Sequence, residues 1–318
     1  MTPLESFEMG WLYGRARQFR TALTVFDRVP PEIPDRLTHG YAVALSKFEL
    51  SDYRGAVGGL EALSFGGSLD AKSANLLAVS YSKLGLYKQA YSVLNQQLGS
   101  NPNDLNTFLN LITVCAEGGD YASAAQFASE AAAKFPNSAD VLLVQGAANS
   151  LLGRSEQAMQ DFSNGVRLAP ERADARFFLA LADYNQAHYA DAISVLRQAD
   201  QDGIRDSDLH YLMAETLLKT DAANSNSILA ELNQALQLNS DSVAARTLRG
   251  RLLVEKGELK QALVDLEVAH RNDPGSRSTI YNLARVYRLS GKMSRPRLYP
   301  VSFSAAIRTF SKKRVHAG

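Results

Sequence analysis

Cysteine is almost absent from this chain of 318 residues: Cys115 stands alone, which excludes an internal disulfide framework and any multi-cysteine metal site. Also missing is any run of roughly 18 apolar residues, so no membrane span is expected. Met1 to Arg15 has no early lysine or arginine and carries Glu5 and Glu8, so no secretion signal is expected there and the cytoplasm is the expected compartment. The five histidines, at 39, 188, 210, 270 and 316, have no metal-ligand spacing, so no metal and no cofactor are expected. Gly58-Gly59 and Gly66-Gly67 lack the lysine and context of a phosphate loop. No pairing of acids and bases suggests catalysis, and the chain reads as a non-enzyme. Acids are absent in one long stretch, Gly275 to Gly318, which holds ten lysines and arginines, so the formal net charge of +1 divides into +10 there and −9 over the rest.

What is present is a period. Pro34, Pro102, Pro136, Pro170 and Pro274 lie in one register, separated by 68, 34, 34 and 104 residues. Units aligned on them run 3–36, 37–70, 71–104, 105–138, 139–172, 173–206, 207–242, 243–276 and 277–310, the seventh being two residues longer. The eighth position is Gly10, Ala44, Ala78, Ile112, Gly146, Ala180, Ala214, Gly250 and Ala284, small in all but one, which suits a close approach of two helices. The twentieth is Ala22, Ala56, Ala90, Ala124, Ala158, Ala192 and Ala262. Between them lie Gly85, Gly119, Gly153, Gly257 and Gly291, placed for the left-handed residue that closes a helix, often with an aromatic two residues on, as Tyr87 and Tyr121. Apolar residues follow helical spacing, as in Leu77, Ala78, Tyr81 and Leu84, with no strand alternation, and the prolines end each second helix. Each unit is a helical hairpin, and a period in this range means a stacked array.

The pattern resembles the tetratricopeptide repeat, most clearly in Leu77, Ala78, Tyr81, Gly85, Tyr87, Ala90, Leu94 and Pro102. The resemblance covers roughly residues 3 to 292. It implies an all-α, right-handed superhelical solenoid of about nine stacked helix-turn-helix units, the last one partial over 277–292, followed by a basic, proline-interrupted tail over 293–318.

Two units depart from the pattern. The seventh lengthens its turn through Asp221, Ala222, Ala223, Asn224, Ser225, Asn226 and Ser227 and puts Ile228 at the alanine position, which reads as a tolerated surface insertion or a recognition loop. The ninth meets Pro296 and Pro300 where its second helix should run. From Ser294 the sequence fits a basic tail for an anionic partner, a segment folded back over the array's end, or a shifted reading frame. Lys312, Lys313 and Arg314 are too few to read as a nucleic-acid site. An uncovered last hairpin would allow self-association.

In relatives of this kind, residues of the first helix at positions two, five, nine, twelve and thirteen face a groove. Carried over, the resemblance implies a partner-binding wall of Phe7, Trp11, Tyr41, Leu45, Asn75, Leu109, Leu143, Phe177 and Leu181, aromatic and apolar, continuing into Tyr211, Arg251, Tyr281, Arg285 and Arg288. Phe48, Tyr184 and Glu215 fall in the same registers. The bland alternatives are packing between neighbouring first helices for the apolar residues and a solvated face for the arginines. The lysine and asparagine pair with which some relatives grip a terminal carboxylate occurs in no unit. The expected activity is that of a scaffold or adaptor holding a peptide or protein segment, or of the repeat portion of a larger assembly protein; nucleic acid is not an expected partner.

Overall fold

The computed structural model describes residues 2–64, 69–221 and 223–291. Among them the chain forms seventeen α-helices and no strand. In order these are α1 (Pro3–Arg15), α2 (Phe19–Phe26), α3 (Arg36–Glu49), α4 (Tyr53–Ser64), α5 (Ala71–Lys83), α6 (Tyr87–Ser100), α7 (Leu105–Glu117), α8 (Tyr121–Lys134) and α9 (Ala139–Leu151). There follow α10 (Ser155–Leu168), α11 (Ala173–Asn185), α12 (Tyr189–Gln201), α13 (Ser207–Thr220), α14 (Ser225–Leu238), α15 (Val243–Glu255), α16 (Leu259–Asn272) and α17 (Arg277–Leu289). The chain divides into two compact units, Met1–Ala182 and Asp183–Gly318, the division falling inside α11.

Helix starts are written locally. Thr2 forms a capping box with Glu5, and the side chains of Asp35, Asp70, Ser138, Asp206, Ser242 and Ser276 each accept a backbone N–H of the first helix they precede. Helix stops are equally local: α6, α8, α10 and α16 each end two residues before a proline of the repeat register. The first hairpin departs from the expectation, since α2 ends at Phe26, eight residues before Pro34, with Pro30 and Pro31 intervening.

In the first unit α1 to α10 pair as five consecutive hairpins, and α1, α3, α5 and α7 each also pack on the first helix of the next hairpin. Ala22, Ala56, Ala90, Ala124 and Ala158 are all essentially without solvent exposure, which is why larger side chains are missing there. In the second unit α13 pairs with α14 and α15 with α16, and α17 lies against α15 and α16. Asp265, itself buried, accepts from Arg246 Nη1 at 2.9 Å and from Arg249 Nε and Nη2 at 2.6 Å, tying α15 to α16.

The seventh hairpin corrects the expected long turn. Helix α13 runs to Thr220 and α14 starts at Ser225, capped by Asn224, so Ser225, Asn226 and Ser227 are helical, and Ile228 is fully buried. Gly66, Gly67 and everything said of Ser294, Pro296, Pro300 and the basic tail lie outside the described residues.

Candidate functional site

The wall of first helices is not uniform once its side chains are placed. In the first unit Phe7 is a core residue, 6% exposed, packed between Phe26 at 5.4 Å and His39 at 6.0 Å between ring centroids. Leu143 is likewise buried, its tip on the bare backbone of Gly165 in α10. Both were expected on a partner-facing wall; Leu143 instead fills the space over Gly165, and Phe7 joins the aromatic core around Phe26. Phe177, half-buried, meets Phe178 edge-on at 5.8 Å, and Leu109 and Leu181 are half-buried.

Trp11 and Tyr41 remain accessible. Trp11 is 38% exposed, with its ring 6.5 Å from that of half-buried Tyr41. With Leu45, Gly14, Arg15, Phe19 and Glu49 it lines a cleft of about 230 Å³. A second cleft, of about 460 Å³, opens between Tyr41, Phe48, Lys72, Asn75, Val79 and Asn110. Its polar floor is a network: Asn75 Nδ2 donates to Asp104 Oδ2 and Thr107 Oγ1 at 3.3 Å, and Asn110 Nδ2 donates to Asn75 Oδ1 at 2.8 Å. Lys72, Asp104, Asn106 and Asn110 were not expected here; for Lys72 and Asn106 the signal was a polar residue at the second position of consecutive units.

In the second unit the wall becomes polar. The Tyr211 hydroxyl donates to Glu215 Oε1 at 2.9 Å. Its pKa is pushed well above the ordinary phenol value, by burial first and then by the charge of Glu215, while Arg251 opposes the shift. Tyr184 stacks edge-on with Tyr189 at 5.6 Å, and its hydroxyl is raised by burial and then by Glu215. Further along, Arg285 Nη1 lies 3.9 Å from Glu255 Oε1, Tyr281 is 69% exposed, and Arg288 is exposed. The structure thus brings Tyr211, Glu215 and Arg251 into one electrostatic group and Arg285 into another with Glu255.

Histidine spacing gave no hint of one further group. Across the turn from α11 to α12, Asp183, His188 and Asp191 each bring a ligand-type atom within 4.8 Å of the others. Buried Asp183 has its carboxyl raised by burial and then by Asp191, with His188 opposing, and His188 Nδ1 lies 3.9 Å from it. The signal, Asp183 and His188 on either side of a turn with Asp191 three residues on, appears only once the hairpin is folded. Cys115 is buried and free, its thiol pushed up to about 11 by burial and by the charge of Asp120, which makes it a packing group and a poor nucleophile.

Comparison with known proteins gives these observations a frame. A family model described as tetratricopeptide repeat matches residues 75–139, which contain α6, α7, α8 and most of α5. No curated protein matches the chain. Among solved structures, a tetratricopeptide repeat protein from Parabacteroides merdae ATCC 43184 is 15% identical, with a TM-score of 0.60 over 79% of this chain and 98% of that one. The pilF protein of Pseudomonas aeruginosa is 20% identical, with a TM-score of 0.53 over 67% of this chain and 96% of that one. A chain of the APC/C hetero-tetramer Cut9-Hcn1 is 15% identical, with a TM-score of 0.55 over 84% of this chain and 52% of that one. At these identities the likeness is one of fold: an all-α solenoid of stacked helical hairpins.

Proposed function

We propose, from the premise that the chain is a tetratricopeptide-repeat protein, that it is a non-enzymatic scaffold that holds an extended or helical segment of a partner protein against its first helices. The observation that carries this reading is what remains accessible after the core is satisfied. Trp11 beside Tyr41 offers flat apolar surface, and Arg251, Tyr281, Arg285 and Arg288 offer forked donors and a ring. Aromatics and arginine are the residue types that dominate the energetics of protein interfaces. No helix of the described residues is long and apolar enough to cross a membrane. The same reading keeps the division into repeat units from residue 3 to 292, the seventh two residues longer and the last partial.

The test is mapping by photo-crosslinking. A photoreactive amino acid placed at Trp11, Asn75 or Tyr281 should capture a partner segment, and one placed on a second helix, at exposed Tyr91 or Val264, should not. Capture from the second helices alone would sink the reading.

A further inference from the structure

Helix α17 has two faces of opposite character. Thr279, Asn282, Leu283 and Val286 pack inward. Arg277, Tyr281, Arg285 and Arg288, spaced by four, four and three residues, therefore share the other face. The helix has three arginines and no acid, and Tyr281 holds its ring 69% exposed between them. Arg285 meets Glu255 of α15, half-exposed and 3.9 Å away. Helix α15 is joined to α17 through the Thr247 and Thr279 hydroxyls, 2.8 Å apart. Arg251 is one turn beyond Thr247 and one turn before Glu255, so it stands on the side of α15 that looks along α17. The remaining arginines of α15, Arg246 and Arg249, are taken up by Asp265.

We infer that this face docks an acidic peptide segment of a partner protein, its carboxylates met by Arg251, Arg285 and Arg288 and one of its apolar side chains laid against Tyr281. The inference rests on the peptide-holding function proposed above and names the chemistry of the partner. Guanidinium forks match carboxylates in two parallel hydrogen bonds, and a tyrosine beside them supplies apolar area at low entropic cost. The chain's own residues 292–318 carry seven lysines and arginines and no acid, so charge sets them against this face. A nucleic-acid backbone wants an unbroken basic strip, and Glu255 interrupts this one. A peptide can space its charges around that carboxylate.

The experiment pans a displayed library of random peptides against the full chain and follows recovered peptides, and poly(U) RNA as a second probe, by fluorescence anisotropy. The expected result is recovery of sequences rich in Asp and Glu. Their affinity should fall about tenfold in the triple variant Arg251→Gln, Arg285→Gln, Arg288→Gln, as three rim ion pairs would predict, and should weaken with added salt. A second variant confined to exposed positions, Tyr281→Ser with Arg288→Gln, guards against a folding artefact and should also weaken binding. Neutral peptides that bind equally well to the triple variant would overturn the acidic class and leave the peptide-holding function standing. Poly(U) bound through the three arginines, with no peptide recovered, would replace the partner by a nucleic acid. Binding of neither probe would reject this inference and the function it rests on.

Discussion

Gly146 and Phe162 occupy one space: a Cβ on the glycine would lie 2.6 Å from Cε1 of the ring. Sixteen residues separate them, and the same interval links Gly10 to Phe26, where the added Cβ would also meet the ring at 2.6 Å. In three hairpins the earlier residue is alanine and the later one leucine, Ala44 with Leu60, Ala78 with Leu94 and Ala180 with Leu196, all buried. The lone large residue of the register, Ile112, faces a reduced partner, Ala128, in the same core cluster. Gly250 with Leu266 keeps the small member without the aromatic, and there the Cβ would come 2.6 Å from Cγ.

This reciprocity predicts a change of sign. Gly146→Ala alone should lower stability by about 1 kcal/mol, since overpacking costs about 1 to 3 kcal/mol and better helix propensity returns about 1. In a Phe162→Leu background the same substitution should stabilise. Urea midpoints of the four chains of the double-mutant cycle decide it; additivity would show that the two positions do not share space.

The turns between paired helices store a small strain. Ser51 and Ala187 adopt φ of 62° and 61° at the register where other hairpins use glycine, such as Gly85 at 72°. Ser51→Gly and Ala187→Gly should each stabilise by about 0.5 to 1 kcal/mol, the left-handed penalty exceeding the entropy that glycine adds to the unfolded chain. Thermal midpoints that fall would contradict this.

Cys115 should be chemically silent in the folded chain. With its thiol pushed up to about 11, reaction with a thiol reagent at pH 8 should be about a hundredfold slower than in the urea-unfolded chain. Equal rates would mean that α7 opens readily.

Tyr81 should give the fold an alkaline limit. Burial, then the hydrogen bond to Glu61 and that residue's charge, push its hydroxyl up to about 12. The folded state thus holds the proton more tightly than the unfolded state, whose phenols titrate near 10. The stabilisation is complete below about pH 10 and is lost as pH rises toward about 12. Tyr81→Phe should lower stability at neutral pH and flatten its decline over that window; an unchanged slope in urea titrations would assign the alkaline loss to other groups.

The hairpin was legible because its causes are periodic. Fully buried Ala22, Ala56 and Ala90 return at one interval, and a regular spacing survives in a bare sequence. The wall was less legible because register does not fix exposure. Phe7, Leu143, Tyr211 and Tyr281 share one position, yet the first two are buried and Tyr281 is largely exposed. For Leu143 the residue across the gap decides: Gly165 beneath it makes room. The pairing of Arg285 with Glu255, and of Asn110 with Asn75, joins residues 30 and 35 apart through side-chain lengths that no spacing rule encodes. The seventh turn was overread because Ser225, Asn226 and Ser227 have turn-like composition, while Asn224 as a cap starts the helix ahead of them.

The core cluster that runs without interruption from Ala44 in α3 to Val114 in α7 bears on how the molecule would respond to mechanical load. A pull applied along the chain would find no weak seam between those hairpins, because each interface shares side chains with the next. Rupture would have to start at an outer hairpin and travel inward one step at a time, each step releasing 34 residues, or about 110 Å of extended chain. Such a molecule would yield in a sawtooth, lengthening under tension while its remaining hairpins keep their packing.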